Sequence, residues 1–168
     1  MQLLTLFTLG LIAGSLIKLA DDITDKNLPL NRLFAVPFGL AYGLLMGYLM
    51  VNDAEAAILF GGIVIGCLVT GKINSTGHYF GLSAILTVLF LNGIKISPLV
   101  FLIAALAALD ELKDALPLPR AIFEYRLFLK LGILALVISG IMGLNALVLL
   151  IAFDSAYIIT DRINSRFS

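Results

Sequence analysis

Residues 127–159 read LFLKLGILALVISGIMGLNALVLLIAFDSAYII, an apolar tract of about 33 residues. A helix crosses the bilayer core with about 20 apolar residues, in a range of about 17–25, so this tract is too long for one span. Gly140, Gly143 and Asn145 stand together inside it and are typical of a turn. We therefore predict two helices, over 121–141 and 145–163, with a single helix over 131–153 as the alternative.

Five further apolar runs precede this tract, namely Leu3–Ala20, Leu33–Val51, Ala54–Thr70, Gly77–Leu91 and Ser97–Leu109. Together they predict an all-α, polytopic membrane helix bundle of seven transmembrane helices, or of six helices if the long tract is a single span. The composition agrees, because the 168 residues are 61% hydrophobic and 13% charged, with a mean hydropathy of +1.08. Soluble domains are nearer about 45–50% apolar and about 25% charged, so a soluble domain is excluded.

The basic residues predict the orientation of the bundle. With seven spans, Lys95 is the only basic residue on the side that holds the N-terminus. The other side holds ten: Lys18, Lys26, Arg32, Lys72, Lys113, Arg120, Arg126, Lys130, Arg162 and Arg166. Short loops rich in Lys and Arg stay in the cytoplasm, so we expect a cell-membrane protein with its N-terminus outside and its C-terminus cytoplasmic. Six spans would move Arg162 and Arg166 outside, which is why seven are preferred.

The net charge and the spacing of the glycines indicate which partners to expect. The net charge of zero and the pI near 6.5 exclude nucleic-acid binding through a basic surface, so membrane lipids are the expected surroundings. Small residues recur at four-residue spacing in span two and cluster again in span three, at Gly39, Gly43, Gly47, Gly61, Gly62 and Gly66. Such faces allow close helix packing or contacts in a homo-oligomer.

Two motifs recur in register and predict an internal repeat. Asp22–Arg32 reads DITDKNLPLNR and Asp110–Arg120 reads DELKDALPLPR, while Lys72–Ser75 (KINS) is echoed by Arg162–Ser165 (RINS). Within one membrane domain, 1–168, we predict repeat A over 1–75, a connector helix over 76–94 and repeat B over 95–168. This 3+1+3 arrangement makes the halves parallel copies related by an axis along the membrane normal. The alternative is that cytoplasmic helix ends simply favour Asp, Pro and Arg.

Acidic residues gather at the predicted cytoplasmic ends of spans one and five. Residues four apart share a helix face, as do Asp21 with Asp25 and Asp110 with Asp114. Mg²⁺ takes one or two carboxylates and completes its shell with water and substrate phosphate. The predicted metal ligands are Asp21, Asp22, Asp25, Asp110 and Asp114. The alternative is a set of solvated helix ends with ordinary i,i+4 pairs such as Lys18–Asp22.

Asp154 lies near the middle of span seven, where an ionised carboxylate is costly, so it should face the bundle interior or a wet cavity. We predict Asp22, Asp110 and Asp154 as catalytic residues. Cationic side chains at one membrane level can hold phosphate oxygens, Arg in bidentate fashion. The predicted phosphate-binding residues are Arg32, Lys72, Arg120 and Arg162. His78, at the start of span four, is more typical of an interface residue than of a base.

The stretch Leu19–Leu33, with its adjacent Asp21 and Asp22, resembles the Asp-Asp motif of the polyprenyl-phosphate sugar-1-phosphate transferases. In that family the Asp pair at a cytoplasmic helix end belongs to the Mg²⁺ and phosphate site, which the resemblance implies for Asp21 and Asp22. The stretch is also similar to the Asp-rich motif of intramembrane prenyltransferases. The resemblance covers about 15 of the 168 residues.

Two functions are therefore compatible with the sequence. The first is a Mg²⁺-dependent enzyme that acts on a lipid phosphate or diphosphate from the cytoplasmic side. The second is a small-solute or ion transporter or channel built from two parallel three-helix repeats, an arrangement that resembles the small sugar and vitamin transporters and the trimeric intracellular cation channels. In the second interpretation Asp154 is a coupling or ion site within the membrane.

Overall fold

The computed structural model of the protein describes residues 1–25, 30–93, 97–112 and 115–166. Within these ranges the regular structure is entirely helical, which confirms the predicted all-α class. The eight α-helices are α1 (Leu3–Asp25), α2 (Ala35–Asn52), α3 (Ala54–Val69), α4 (Thr76–Asn92), α5 (Leu99–Asp110), α6 (Arg120–Glu124), α7 (Leu127–Ile138) and α8 (Leu144–Asn164). A 3₁₀ turn, Arg32–Phe34, leads directly into α2.

Among the described segments, three helices are long and apolar enough to cross a membrane: α1, α2 together with its 3₁₀ turn, and α8. Shorter apolar helices are α3, α5 and α7. The long tract divides where its glycines predicted a turn. Gly140 has a φ of 73°, in the left-handed region that glycine adopts without steric cost, and α8 begins four residues later.

The helix predicted over 121–141 is interrupted. Arg126 has a φ of 48°, which no α-helix accommodates, and it separates α6 from α7. Helical periodicity does not reveal such a break. At this break the Arg126 side chain lies 3.6 Å from the carboxylate of Asp154 on α8.

Glycine-rich faces bring helix backbones into direct contact. α1 packs against α8, α2 against α4 and α3 against α5. A Cβ added at Gly39 or Gly43 of α2 would overlap the carbonyl oxygen of Gly77 or Gly81 of α4. The predicted close packing is therefore made within this chain, and association of several copies stays a prediction.

Polar contacts join the helix ends in two groups. At one end of the bundle, Asn145 Nδ2 donates to Asp53 at 2.9 Å and the Gly143 amide donates to Glu55 at 2.6 Å. At the other end, Asn164 Nδ2 donates to Asp22 at 2.8 Å. An apolar core lies between these ends, where Phe60 and Phe153 meet edge to face with ring centroids 5.4 Å apart. The candidate site lies at the end that contains Asp22.

Candidate functional site

A cavity of about 380 Å³ opens among the helix ends where α1 finishes and α4 begins. Its ionisable lining residues are Asp21, Asp25, Lys72, Cys67, His78, Glu111, Arg126, Tyr42 and Tyr157. Deeper in the bundle its walls become apolar, at Met46, Ile63 and Ile85 among others. We call this space the polar cavity. It combines charges of both signs with apolar walls.

Asp21 is the most heavily bonded carboxylate of the polar cavity. His78 Nε2 lies 3.1 Å from it, Tyr157 donates its hydroxyl at 3.3 Å, and Lys18 donates at 3.3 Å. The Tyr42 hydroxyl lies 3.2 Å from His78 Nδ1. With its proton on Nε2, His78 donates to Asp21 and accepts from Tyr42, so its ring is held from both sides. This is how proteins orient a histidine that transfers protons.

Asp22 is fully buried beside the polar cavity and does not line it. Its carboxylate pairs with Lys18 Nζ at 2.9 Å and accepts from Asn164 Nδ2 at 2.8 Å. Lys18 also pairs with Asp161 at 2.9 Å. The i,i+4 pair Lys18–Asp22 of the alternative interpretation is thus present. Its contacts with Asp161 and Asn164 join the end of α1 to the end of α8. The catalytic and metal roles of Asp22 stay predictions.

Asp154 faces the bundle interior, as its position in the tract predicted, and is 1% exposed. Lys130 pairs with its carboxylate, and Arg126 lies 3.6 Å away. The guanidinium of Arg126 also lies over the ring of Tyr157, 4.7 Å from its centroid. Arg126 and Tyr157 both line the polar cavity, so Asp154 is connected to that cavity through Arg126.

Asp110 terminates α5 and is buried. It accepts hydrogen bonds from the amides of Phe128 at 3.0 Å and Leu129 at 2.8 Å, the first turn of α7. A carboxylate in this place satisfies amide groups that have no partner within the helix. The next residue, Glu111, reaches the polar cavity and pairs with Lys72 at 3.4 Å.

The predicted site residues therefore separate into two sets. Those that line the polar cavity are Asp21, Asp25 and Lys72. Those that lie elsewhere are the buried Asp22, Asp110 and Asp154 and the exposed Arg32, Arg120 and Arg162. Asp114 is outside the described residues. The sequence placed these groups at one level of the bundle, and the structure brings only part of them to one cavity.

Among the described residues, no group of three or more His, Cys, Asp and Glu is arranged to hold a metal ion. Mg²⁺ does not require such a group, because it keeps several waters and binds through one or two carboxylates plus substrate phosphates. Within the polar cavity, Asp25 and Glu111 are the carboxylates that suit this role. The oxygens of Asp21 already accept from three side chains.

Several residues of the polar cavity escaped sequence reasoning as parts of a site, namely Tyr42, His78, Glu111, Arg126 and Tyr157. A signal existed for Tyr157, which lies three residues after Asp154 and four before Asp161 and so shares their helix face. For His78 the only signal was its position near the same bundle end as Asp21. Arg126 contributed only to the charge count.

No protein-family model, no curated protein and no solved structure matches this chain.

Proposed function

We propose that this chain is a seven-span membrane protein whose polar cavity faces the cytoplasm. The ten-to-one distribution of basic residues supports this orientation. The contacts agree with it, since Asp53, Glu55, Gly143 and Asn145 meet at one bundle end while the polar cavity lies at the other. The N-terminus is then outside and the C-terminus is in the cytoplasm.

The parallel repeat belongs to the same proposal. If α1 and α3 correspond to α5 and α8, a two-fold axis converts the α1–α8 contact into an α5–α3 contact. Both of these contacts exist. The correspondence supports two like-oriented three-helix units with α4 as the connector.

Within this membrane domain, the polar cavity would bind the phosphate or diphosphate of a lipid with Mg²⁺ and act on it. The observation that carries this proposal is that Lys72 and Arg126 line one cavity with Asp25 and Glu111. The two cations are suited to phosphate oxygens. The two carboxylates are suited to Mg²⁺, which would supply charge neutralisation at the phosphate. The weak resemblance of the Asp21–Asp22 stretch to the sugar-1-phosphate transferases agrees with this chemistry.

His78 is the residue best placed to move a proton in this site. Asp21 and Tyr42 fix its ring, and Tyr157, which donates to Asp21, lines the cavity with it. A positioned histidine contributes about 10²–10⁴-fold to a reaction that needs proton transfer. His78 would accept a proton from the attacking hydroxyl or water, or donate one to the leaving group.

Transport of a small solute or ion is the second candidate. The observation in its favour is the network of Asp154, Lys130 and Arg126, because ionisable residues within a membrane segment are typical of ion pathways and proton relays. In this interpretation Asp154 would couple transport to the cavity through Arg126.

Phosphate binding to the purified protein tests the proposal. Lys72→Gln should weaken binding of farnesyl phosphate in the presence of Mg²⁺ by about tenfold or more, since a charge-assisted contact contributes about 1.5–3 kcal/mol. Arg120→Gln is the control, because Arg120 is exposed and does not line the polar cavity. Equal binding by both variants and the unmodified protein would contradict the proposal.

A flux assay tests the second candidate. Loss of solute flux in liposomes that contain the Asp154→Asn protein, together with no phosphate binding by the unmodified protein, would favour transport.

A further inference from the structure

A second space, which we call the apolar groove, adjoins the polar cavity. It measures about 430 Å³ and lies between α3 and α4, bounded by Met50 of α2 and by Val100 and Phe101 of α5. Every lining side chain is apolar except that of Asn92. Val64, Leu82 and Ile85 line both spaces. The two spaces therefore adjoin at these three side chains.

The packing of the helices explains why the groove exists. α4 packs against α2 while α3 packs against α5, so α3 and α4 face each other across a gap. The side chains of Leu86 and Phe101 at its rim are 51% and 63% exposed. In a bilayer this rim faces hydrocarbon, so a lipid chain can enter from the side without crossing a polar surface.

We propose that the apolar groove holds the hydrocarbon chain of the lipid whose phosphate occupies the polar cavity. This inference rests on the proposed function and adds the substrate class, a phosphate carried on one long apolar chain. The arrangement suits a molecule with a charged end, since the cations and carboxylates line the polar cavity and none of those in the described ranges lines the adjoining groove. Along α4 the groove runs from Leu82 to Asn92, about 15 Å at 1.5 Å per residue. That is about half the ~30 Å core of a bilayer, and it is the half that lies farther from the polar cavity.

Gly61 gives a direct way to close the groove. A Cβ at this position would lie 3.6 Å from Met50 and from Val100, which is ordinary contact, so α3 itself accepts a side chain there. A phenyl ring at position 61 would occupy groove space while leaving Lys72 and Arg126 unchanged. Leu86→Trp narrows the rim from an exposed position and serves as a second variant. Ala105→Phe, on an exposed face of α5 outside the groove, is the matched control.

The experiment uses the full chain in nanodiscs and a dodecyl phosphate that carries a diazirine at its chain end. We expect crosslinks on the α3 and α4 residues of the groove, and we expect excess butyl phosphate to compete them away. Gly61→Phe and Leu86→Trp should reduce these crosslinks at least fivefold, whereas Ala105→Phe should leave them unchanged.

Two failures are distinguishable. Crosslinks scattered over the outer faces of the bundle and insensitive to Gly61→Phe, with butyl phosphate binding still dependent on Lys72, would overturn the groove assignment alone. Absence of phosphate binding that depends on Lys72 would overturn the proposed function as well. Binding of butyl phosphate tests the polar cavity alone, and crosslinking by the long chain tests the apolar groove. The two results therefore test the proposed function and the groove assignment separately.

Discussion

His78 Nε2 lies 3.1 Å from Asp21 Oδ1, which joins the protein's one histidine, in the first turn of α4, to the last turns of α1. These residues are 57 positions apart in the chain. Tyr42 approaches the other ring nitrogen from α2 at 3.2 Å, so three helices fix one imidazole. Both His78 and Asp21 line the polar cavity. Such an arrangement fixes the orientation of the imidazole, which the proposed proton transfer requires.

Replacing His78 by Ala should separate function from stability. The change removes two hydrogen bonds, one to Asp21 and one to Tyr42, while Asp21 keeps other partners. The loss in free energy of unfolding should therefore be about 1–3 kcal/mol, at about 0.5–1.5 kcal/mol for each bond. Turnover in the proposed lipid-phosphate reaction should fall by about 10²-fold or more. Thermal unfolding and a turnover assay on the same preparation measure both quantities. Tyr79→Phe, at the exposed neighbouring position, is the control. Unchanged turnover would exclude His78 as the proton-transfer residue.

The charge pair between Asp154 of α8 and Lys130 of α7 should be costly to break from one side. Asp154→Asn leaves Lys130 and Arg126 without their counter-charge, and breaking a buried pair costs about 3–5 kcal/mol. Lys130 is partly exposed, so we expect the lower part of that range. The double variant Asp154→Asn with Lys130→Met should recover part of the loss, because it also removes the uncompensated cation. Chemical unfolding in detergent measures the difference, with Lys130→Met alone as the third variant that completes the cycle. A double variant no more stable than Asp154→Asn would contradict the expected recovery.

Close backbone contact between α2 and α4 should tolerate no side chain. A Cβ at Gly43 would overlap the Gly81 carbonyl oxygen, so Gly43→Ala must displace one helix and should lower the unfolding free energy by about 1–3 kcal/mol. Gly61→Ala is the matched control, since the added methyl group would sit 3.6 Å from its neighbours. Thermal unfolding of the two variants side by side checks the prediction. Similar stabilities would mean that α2 and α4 are farther apart than the structure places them.

Features with a local cause were predictable from the sequence. The turn at Gly140 follows from the length of its tract and from glycine clustering, and the burial of Asp154 follows from the cost of a charge in an apolar segment. The pair Lys18–Asp22 follows from i,i+4 spacing. In each case a few residues that are close in the sequence are sufficient for the prediction.

The composition of the polar cavity depends on contacts between distant residues, which no local pattern encodes. Tyr157 reaches Asp21 across 136 positions, and the break at Arg126 reflects a partner on another helix. Asp110 shows that residues at equivalent places in a sequence repeat can have different contacts. Its place in the repeat suggested a role equivalent to that of Asp22, but its hydrogen bonds go to the amides of α7 whereas those of Asp22 go to Lys18 and Asn164.

The number of spans determines where the C-terminal end of the chain lies, and cysteine labelling tests it. In a Cys67→Ala background, Asn52→Cys should react with a membrane-impermeant maleimide in intact cells, because Asn52 is exposed at the bundle end opposite the polar cavity. Arg120→Cys should react only after permeabilisation. Arg166→Cys, also at an exposed position, distinguishes seven spans from six. It is protected in intact cells if α7 and α8 both cross the membrane, whereas labelling without permeabilisation would require a single crossing by residues 131–153.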